Sequence, residues 1–411
     1  MADLKKTRMV FLSALFLMLG LSVLPSIAEA AGPAPEASAA AVVNRAGFGL
    51  YRLLSPDRVN FCFSPYSVST VFAMAYAGAR GGTAEEFERM FVFDENIHAS
   101  YSKLLHLIAS PPAGAGELVS ANSVWPQSGY RLLAPYRKIL QDDYASLPTP
   151  LDFERYPERA RTTINEWVVE KTRERIKDLL PAGTIDSETR MVLVNAIYLK
   201  APWLEPFRES FTEMKPFHTR NGEVRTPTMH KREFLSYAEN DRFRSVRIPY
   251  RQRMFSMTIL LPKEEGDPDA LNTLERSLST ELIAEIDGGI QKRLVDLALP
   301  KFKVESDFEL KTALRALGVQ AAFVPGEADF SGINGKRNLF IGSAVHKAFI
   351  DVDENGTEAA AATAAAMTRS SMPLESTPLI FSVDRPFVFF IRDEVAGAIL
   401  FLGRVDDPTK R

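Results

Sequence analysis

The sequence of 411 residues contains one cysteine, Cys62, and only five histidines. A single cysteine excludes both an intramolecular disulfide and a zinc site built from cysteines. The formal net charge is −3, so the chain as a whole lacks the positive field that holds a nucleic-acid backbone. Hydrophobic residues make up 46% of the chain and charged residues 25%. This mixture indicates a folded globular protein rather than a disordered, collagen-like or coiled-coil one.

The sequence also lacks the short motifs that mark common enzymes. No G-x-S-x-G, H-E-x-x-H, P-loop or G-x-G-x-x-G pattern occurs in it. Cys62 lies between two phenylalanines and is interpreted as a small core residue. His98 and His106 are interpreted as packing or surface residues rather than metal ligands, and the arginine-rich stretch 242–253 as solvated charge rather than a polyanion site. We therefore expect no catalytic activity, no metal and no cofactor.

Only one apolar run is long enough to suggest a membrane span, and it lies near the N-terminus. Residues 9–24 are apolar and follow three basic residues within the first eight. About sixteen residues is short for a span. The triplet Ala-Glu-Ala at 28–30 has the small-x-small pattern of a signal peptidase site. Residues 1–30 are therefore predicted to be an export signal, with an uncleaved membrane anchor as the alternative.

The remainder of the chain contains no linker that would divide it. Residues 31–40 are rich in alanine and proline and are predicted to be flexible. Residues 41–411 are predicted to form a single domain. Once the signal is removed, we expect a monomer in an extracellular or periplasmic compartment, with no membrane contact.

Hydrophobic periodicity predicts a mixed α+β fold with long strands. The run RMVLVNAIYL at 190–199 is almost continuously apolar, as expected of a strand covered on both faces. Asn221-Gly222 predicts a hairpin turn, and Ser306 with Glu309 predicts a capping box at the start of a helix. The predicted helices lie at 41–54, 66–77, from Thr83 onward, at 157–180 and at 307–317. The other predicted strands lie at 255–261, 293–304, 338–352, 379–391 and 395–404.

Residues 353–380 break this pattern, because they connect two predicted strands by more than twenty residues without obvious structure. Connections of this length in a compact domain are usually functional or disordered. No charged residue occurs from Ala359 to Thr368, and alanine dominates that stretch. A flexible tether and a helix are two readings of this composition, since alanine is the best helix former.

The details favour a third interpretation, an extended segment that can pair as a strand after a conformational change. Alternate positions from Thr357 to Met367 would share one face of a strand, and all of them except Met367 are small. Gly356, just before them, can absorb a change of backbone direction. Beyond Thr368 the chain is polar and then contains two prolines, which keep it extended. An accessible bond next to an insertable strand is what a protease bait with a stored conformational change requires.

Eight blocks of the sequence resemble the serpin family, and they occur in the family's order. The blocks are NFCFSPYSV at 60–68, AYAGARGGT at 75–83, NAIYLKAPW at 195–203, LPKFKVES at 299–306, ALGVQAAFVPGEADFSGI at 316–333, AVHKAFIDVDENGTEAAAAT at 344–363, DRPFVFFIRD at 384–393 and GAILFLGRVDDP at 397–408. They are spread from residue 60 to residue 408, and the resemblance covers nearly the whole chain after the predicted signal. The resemblance implies a domain of three β-sheets and about nine helices, with an exposed reactive-centre loop at about 354–380.

The resemblance also implies a function. In the family, a serine protease attacks the loop as a substrate and forms an acyl-enzyme. The cut loop then inserts as a central strand of the main sheet and traps the protease, a case of strand addition that releases stored strain. The resemblance therefore implies a secreted suicide-substrate inhibitor, with a non-inhibitory carrier, chaperone or storage protein as the alternative.

The family pattern assigns residues in the loop. The hinge and insertion segment corresponds to Glu354, Gly356, Thr357, Glu358, Ala359, Ala360, Ala361, Ala362 and Thr363. A count of sixteen residues from the hinge glutamate places the reactive bond at Ser370–Ser371. A loop one residue shorter would place it at Arg369–Ser370, and Met372 is a further candidate. Ser370 favours elastase-like or subtilisin-like targets and Arg369 a trypsin-like one, while a cysteine protease stays open.

Five further residues match the family's control region. Four polar side chains are expected to form a buried hydrogen-bond network that holds the central strands of the main sheet together; they are Ser64, Ser67, Asn195 and His346. Trp203 is expected near the point where the loop enters the sheet. Without the resemblance, each of the five would be read as an ordinary core residue.

Overall fold

The structure is a computed structural model that describes residues 38–55, 59–263, 269–358 and 377–410. The helices are α1 (Ala39–Leu54), α2 (Pro65–Tyr76), α3 (Gly81–Phe91), α4 (Ile97–Ala109), α5 (Ala134–Tyr144), α6 (Pro157–Lys171), α7 (Ala270–Ser277), α8 (Thr280–Gly289), α9 (Lys311–Ala316) and α10 (Ser331–Asn334). The strands are β1 (Phe61–Phe63), β2 (Glu117–Pro126), β3 (Met191–Pro202), β4 (Glu213–Thr219), β5 (Gly222–Glu239), β6 (Phe243–Pro249), β7 (Phe255–Pro262), β8 (Gln291–Pro300), β9 (Phe302–Glu309), β10 (Ser343–Val352), β11 (Gly356–Thr357), β12 (Leu379–Ser382), β13 (Phe387–Asp393) and β14 (Ile399–Val405). The predicted α+β class is confirmed.

A five-stranded sheet, here called the main sheet, has the strand order β2-β3-β11-β10-β9. β3 and β10 run parallel and pair directly from Ser343 opposite Val192 to Phe349 opposite Tyr198. β2 and β9 flank them as antiparallel neighbours. Alternate residues of β3 belong to two separate hydrophobic clusters, one on each face of the sheet. This is why the sequence of β3 is a continuous apolar run.

The other strands form a nine-stranded sheet with the order β1-β14-β13-β7-β6-β5-β8-β12, and β4 pairs with β5 beside this path. The long strand β5 joins two groups of strands. Its first part pairs with β4 and its middle with β8, whereas its last residues pair with β6. The family resemblance implies three sheets; the described residues form two, because β5 pairs with both β8 and β6 and joins their strands into one sheet.

Helix α2 carries core residues to both sheets. It contacts β2 and β3 of the main sheet and β14 of the larger sheet. Every residue from Pro65 to Ala75 is buried, which small residues in the helix permit. The helix begins at a defined point because the hydroxyl of Ser64 accepts a hydrogen bond from the N–H of Ser67 at 3.0 Å.

The helix predicted at 157–180 is shorter than expected and ends with α6. The side chain of Asn165 accepts from the N–H of Leu180 at 2.9 Å and donates to its carbonyl oxygen at 3.0 Å. Arg173 and Glu174 adopt positive φ angles of 48° and 63°, which a right-handed helix does not allow. The chain therefore folds back after α6 and returns its apolar residues to the core.

The predicted capping box is wrong, because Ser306 and Glu309 both lie in β9. The hydroxyl of Ser306 accepts a hydrogen bond from the N–H of Cys62 at 3.1 Å instead of capping a helix. The helix expected at 307–317 begins only at Lys311. β9 pairs with β10 along its whole length, and this ladder overrides the local helix signal.

Four strand predictions have different limits in the structure, and the strand predicted at 395–404 begins only at Ile399, with β14. The stretch 293–304 is divided after Pro300 into β8 and β9, and 379–391 is divided before Phe387 into β12 and β13. The break after Pro300 is where the chain passes from one sheet to the other, since β8 pairs with β5 and β9 pairs with β10. The strand predicted at 338–352 begins five residues later, with β10.

The N-terminal helix begins inside the segment predicted to be flexible, 31–40. α1 starts at Ala39 because the hydroxyl of Ser38 accepts a hydrogen bond from the N–H of Ala41 at 3.2 Å. The predicted export signal lies outside the described residues. Within the described ranges, no helix is long and apolar enough to cross a membrane.

Candidate functional site: the loop hinge and the strands around it

The main sheet is divided at one end, and the start of the predicted loop occupies the division. β3 and β10 pair directly only as far as Tyr198 and Phe349. Beyond that point β11 lies between them. Thr357 of β11 is opposite Ala201 of β3 and Val352 of β10, antiparallel to both. The first residues of the loop are therefore already a short central strand of the main sheet.

A tight turn leads into β11. The carboxylate of Asp353 accepts hydrogen bonds from the N–H of Asn355 at 2.8 Å and of Gly356 at 3.2 Å. Gly356 has a φ of 152°, and a Cβ atom added there would lie 2.1 Å from the carbonyl oxygen of Ala201. Glycine was expected here for its freedom of movement. The structure shows a second reason, since no larger residue fits against β3.

Thr357 is fully buried, and its surroundings are aromatic. Its Oγ1 lies 2.5 Å from the hydroxyl oxygen of Tyr250. The ring of Tyr250 stacks on Trp203 with centroids 4.4 Å apart. Trp203 in turn donates its indole N–H to the carbonyl oxygen of Asp353 at 2.9 Å and its backbone N–H to that of Asn355 at 2.9 Å. Trp203 thus lies where the loop enters the sheet, and it binds the turn through both its side chain and its backbone.

Glu354 is anchored beside the turn by residues of the segments that connect strands. Its carboxylate accepts from Nζ of Lys301 at 2.7 Å and from the hydroxyl of Thr212 at 2.7 Å. Its carbonyl oxygen accepts from the N–H of Phe207 at 2.9 Å. Burial opposes ionisation of this carboxyl group, but the hydrogen bonds from Lys301 and Thr212 outweigh it and lower the pKa of Glu354. The predicted hinge glutamate is therefore a charged anchor.

Glu358 follows β11 and has a different environment. Its carboxylate contacts the guanidinium of Arg175, in the segment that follows α6. Its N–H donates to the carbonyl oxygen of Asp351 at 2.8 Å. Burial raises the pKa of Glu358, and the nearby Arg175 and Lys200 oppose this effect only in part. The backbone φ of 48° marks Glu358 as the point where the chain leaves the extended path of β11.

The four polar residues predicted to control sheet opening are in contact with one another. The N–H of Ser64 donates to Nε2 of His346 at 2.9 Å, so Nδ1 carries the ring proton and binds the side-chain oxygen of Asn195. The amide of Asn195 donates to the hydroxyl oxygen of Ser67. Asn195 and His346 are directly paired across β3 and β10. The network therefore joins the two strands that would have to part.

Two members of this network were not predicted. Ser120 and Asn122 lie on β2, two positions apart and thus on one face. The hydroxyl of Ser67 donates to the Asn122 side-chain oxygen at 3.1 Å and lies 3.1 Å from Oγ of Ser120. Asn195 also donates to Asn122. Two polar residues at alternate positions of a strand, and thus on one face, were the available signal in the sequence.

His346 is neutral in this setting. Its ring is fully buried, and burial lowers its pKa from 6.5 to about 3. It stacks on Phe308 with centroids 6.2 Å apart. A protonated imidazole could not accept the hydrogen bond from Ser64, so the network requires the neutral ring.

The remaining loop predictions fall on residues that the structure does not describe. These are Ala359, Ala360, Ala361, Ala362, Thr363, Arg369, Ser370, Ser371 and Met372. The position of the reactive bond is therefore still a prediction from the sequence.

The residues considered in the sequence as alternative catalytic or metal-binding groups, Cys62 and His98, have the surroundings of packing residues. Cys62 is fully buried in β1, and burial raises the pKa of its thiol. Nδ1 of His98 lies 2.7 Å from the hydroxyl oxygen of Tyr144, and burial lowers the pKa of His98 to about 4. In the described part of the chain, no three His, Cys, Asp or Glu residues are grouped as metal ligands would be.

Comparison with known proteins agrees with this architecture. A family model described as Serpin (serine protease inhibitor) matches residues 41–408. An uncharacterized serpin-like protein of Thermococcus kodakarensis is 41% identical over 370 residues, which is 89% of this chain and 85% of that protein. The leukocyte elastase inhibitor of Equus caballus is 38% identical over 371 residues, which is 87% of this chain and 96% of that protein.

A solved structure has the same fold. Uncleaved ovalbumin superposes with a TM-score of 0.81 at 26% identity, over 90% of this chain and all of the ovalbumin chain. The chain belongs to the serpin family, a family of protease inhibitors rather than proteases.

Proposed function

We propose that this protein is a secreted inhibitor of serine-type endopeptidases that acts as a suicide substrate. In this mechanism the protease cuts the loop, forms an acyl-enzyme and is trapped when the loop inserts into the main sheet. The observation that carries the proposal is the position of β11 between β3 and β10. A strand that already pairs with both neighbours at one end can grow by adding residues one at a time.

Extension of the observed register defines how far insertion would go. From Thr357 onward, each further loop residue would pair one position closer to the start of both β3 and β10. On this register Thr363 would lie between Asn195 and His346, which now pair directly with each other. Insertion would thus break the hydrogen bond that joins these two side chains, and this is how the buried network would control the opening of the sheet.

The same register sets a limit on the reactive bond. It would place Met367 opposite Met191, the first residue of β3. A loop cut before Met367 would leave part of β3 without a new partner. Ser370–Ser371 and Arg369–Ser370 both lie beyond this limit, so either bond would release enough chain.

The two faces of the inserted strand would meet different parts of the core. Asn195 and alternate residues of β3 face the cluster that contains α2, whereas Val192, Val194 and Ala196 face the cluster that contains α6. The even-numbered loop residues after Glu358 would lie beneath α6, and all of them through 366 are alanine. Small side chains would let the strand pass beneath α6 without displacing it far.

The test compares the wild-type protein with Thr357→Arg and Thr377→Arg against a panel of serine proteases. Thr357 is buried in the sheet, so an arginine there would stop strand growth and allow the protease to complete hydrolysis. Thr377 is exposed beyond the predicted cut and serves as the matched control. We expect SDS-stable complexes at a stoichiometry near one for the wild type and Thr377→Arg, and cleavage without complex for Thr357→Arg. Clean cleavage of the wild type without any complex would favour the non-inhibitory alternative.

The proposed target has a small primary pocket of the elastase or subtilisin type. Ser370 before the predicted bond supports this, and a relative named leukocyte elastase inhibitor supports the same class. Mass spectrometry of the small C-terminal fragment released from the complex identifies the bond. A fragment that begins at Ser371 supports this target class, and one that begins at Ser370 indicates a trypsin-like enzyme.

Secretion is a separate part of the proposal. It rests on the basic start, the apolar run and the small-x-small triplet of residues 1–30. N-terminal sequencing of the protein recovered from the medium or the periplasm should give Ala31 as the first residue. An intact N-terminus in the membrane fraction would instead support an uncleaved anchor.

A further inference from the structure

A cavity lined with arginines lies far from the loop in the sequence. It has a volume of about 260 Å³ and is formed by the end of α1, the β4–β5 turn, α7 and β14. Its lining includes Arg52, Arg220, Arg276, Arg404 and one acidic residue, Glu275. Four guanidinium groups against one carboxylate leave an excess of three positive charges around one small space.

The floor of the cavity is fixed by a buried ion pair. Arg404 donates to both carboxylate oxygens of Glu275 at 2.9 and 3.1 Å, and the hydroxyl of Tyr51 donates to Glu275 at 2.7 Å. Both charged side chains are almost fully buried. The carboxylate of Glu275 is therefore already used, and it does not neutralise the other arginines.

The rim carries guanidinium groups with spare donors. Arg52 donates one N–H to the carbonyl oxygen of Leu278 at 2.7 Å, and Arg276 donates one to the hydroxyl oxygen of Thr273 at 3.1 Å. Within the described ranges, neither of these arginines is paired with a carboxylate. Each guanidinium has five N–H donors, so most of them face the cavity or solvent unused.

The third rim arginine is partly neutralised. Nε of Arg220 lies 3.3 Å from Oδ2 of Asp406, and a terminal nitrogen donates to the side-chain oxygen of Asn272 at 3.0 Å. With Asp406 counted, an excess of two positive charges still surrounds the cavity. Positive charges held together in a concave site attract anions. The protein walls have a low dielectric constant, and they concentrate the electric field in the cavity.

We propose that this cavity binds a small, multiply charged oxyanion, with phosphate or carboxylate groups. Guanidinium groups bind both kinds of group through paired N–H donors. The volume is slightly below the range of about 300–1,000 Å³ that is usual for ligand pockets, so the ligand is a small molecule rather than a polymer. Binding joins α1 and α7 across the cavity and stabilises the folded state, independently of the loop.

The test uses inorganic pyrophosphate as the phosphate probe and citrate as the carboxylate probe, with potassium chloride at matched ionic strength. Isothermal titration and thermal melting are measured on the full protein. We expect one site per chain and a melting temperature that rises with probe concentration beyond the effect of the salt. Binding of pyrophosphate alone indicates a phosphate ligand, and binding of citrate alone a carboxylate ligand.

Two double variants decide whether the cavity is the site. Arg52→Gln with Arg276→Gln should weaken binding at least tenfold. Arg137→Gln with Arg159→Gln removes the same charge from exposed positions on α5 and α6, and should change affinity less than twofold. No binding of either probe by the wild type, or an equal loss in both double variants, would overturn the proposal. Protease inhibition should be the same in all of these proteins, so this outcome is separate from the proposed inhibitory function.

Discussion

The hydroxyl oxygen of Tyr250 lies 2.5 Å from Oγ1 of Thr357, inside the protein and out of contact with solvent. This contact ties the start of the loop to the turn after β6, a part of the larger sheet. Both hydroxyl groups are buried, and each is the hydrogen-bond partner of the other. The uncut loop is therefore held at its entry point by a hydrogen bond as well as by strand pairing.

Tyr250→Phe is expected to lower the free energy of unfolding by about 1–3 kcal/mol, because it leaves the buried hydroxyl of Thr357 without a partner. Denaturant unfolding of the uncut protein measures this. Tyr136→Phe is the control, since in the described structure the buried hydroxyl of Tyr136 has no hydrogen-bond partner. Its removal should cost almost nothing. Equal losses in the two variants would contradict the assigned role of the Tyr250 contact.

Gly356→Ala is expected to disturb the hinge, because the new Cβ atom would meet the carbonyl oxygen of Ala201. β11 would be forced out of the main sheet, and the stoichiometry of inhibition should rise several-fold. Gly183→Ala is the matched control. Gly183 also has a positive φ, of 82°, but no atom lies within 4 Å of its added Cβ. Gly183→Ala should lower the free energy of unfolding by about 1–2 kcal/mol through backbone strain, and it should leave the stoichiometry of inhibition unchanged.

Two glutamates four positions apart should have opposite effects on stability as pH changes. The pKa of Glu354 is lowered in the folded state, so its ionised form stabilises the protein above the unfolded pKa, and this contribution is lost as pH falls through the folded pKa. The pKa of Glu358 is raised by burial, so its ionised form destabilises the folded state, and stability is lost as pH rises through the folded pKa.

The corresponding variants test this difference. Glu354→Gln should be less stable than the wild type at neutral pH and approach it in acid. Glu358→Gln should be more stable than the wild type at neutral pH despite losing the contact with Arg175, and the gain should vanish in acid. Melting temperatures between about pH 3 and pH 8 measure both trends. Destabilisation by Glu358→Gln at neutral pH would show that Arg175 outweighs burial.

The register of insertion can be measured with an engineered disulfide. Extension of β11 would place Ala361 opposite Ile197, where cross-strand neighbours are close enough for a disulfide. In the uncut protein Ile197 pairs with Ala348 instead. Ala361→Cys with Ile197→Cys should therefore crosslink after the loop is cut.

The control pair for this measurement combines Ala361→Cys with Leu199→Cys, which corresponds to a slip of two residues. It should crosslink far more slowly after the cut. Non-reducing electrophoresis of the cut proteins distinguishes crosslinked from uncrosslinked chains by their mobility, for each cysteine pair. Cys62 is buried and should not interfere. Faster crosslinking of the control pair would show that the strand enters in another register.

Local sequence patterns predicted the elements that depend on local interactions. The Asn221-Gly222 turn agrees with the structure because it depends on neighbours in the chain. The apolar run of β3 agrees because a strand buried on both faces needs apolar residues at every position. The capping box at Ser306 failed because β9 pairs with the distant strand β10 instead. The helix predicted at 157–180 is shorter because the chain folds back after α6, where the Asn165 side chain bonds to the backbone of Leu180.

The sequence by itself determined the hinge glycine, because residue type alone restricts what can stand at that position. The polar residues beneath the main sheet were identified through the family resemblance, and the small residues after the hinge are still a prediction from the sequence. Only the tertiary structure decided which groups meet them. Tyr250, Lys301 and Arg175 come from three distant segments, and nothing in their local sequence marks them as partners of the loop. Their role arises because folding brings them to the point where β3 and β10 separate, and a contact between distant parts of a chain leaves no local pattern to read.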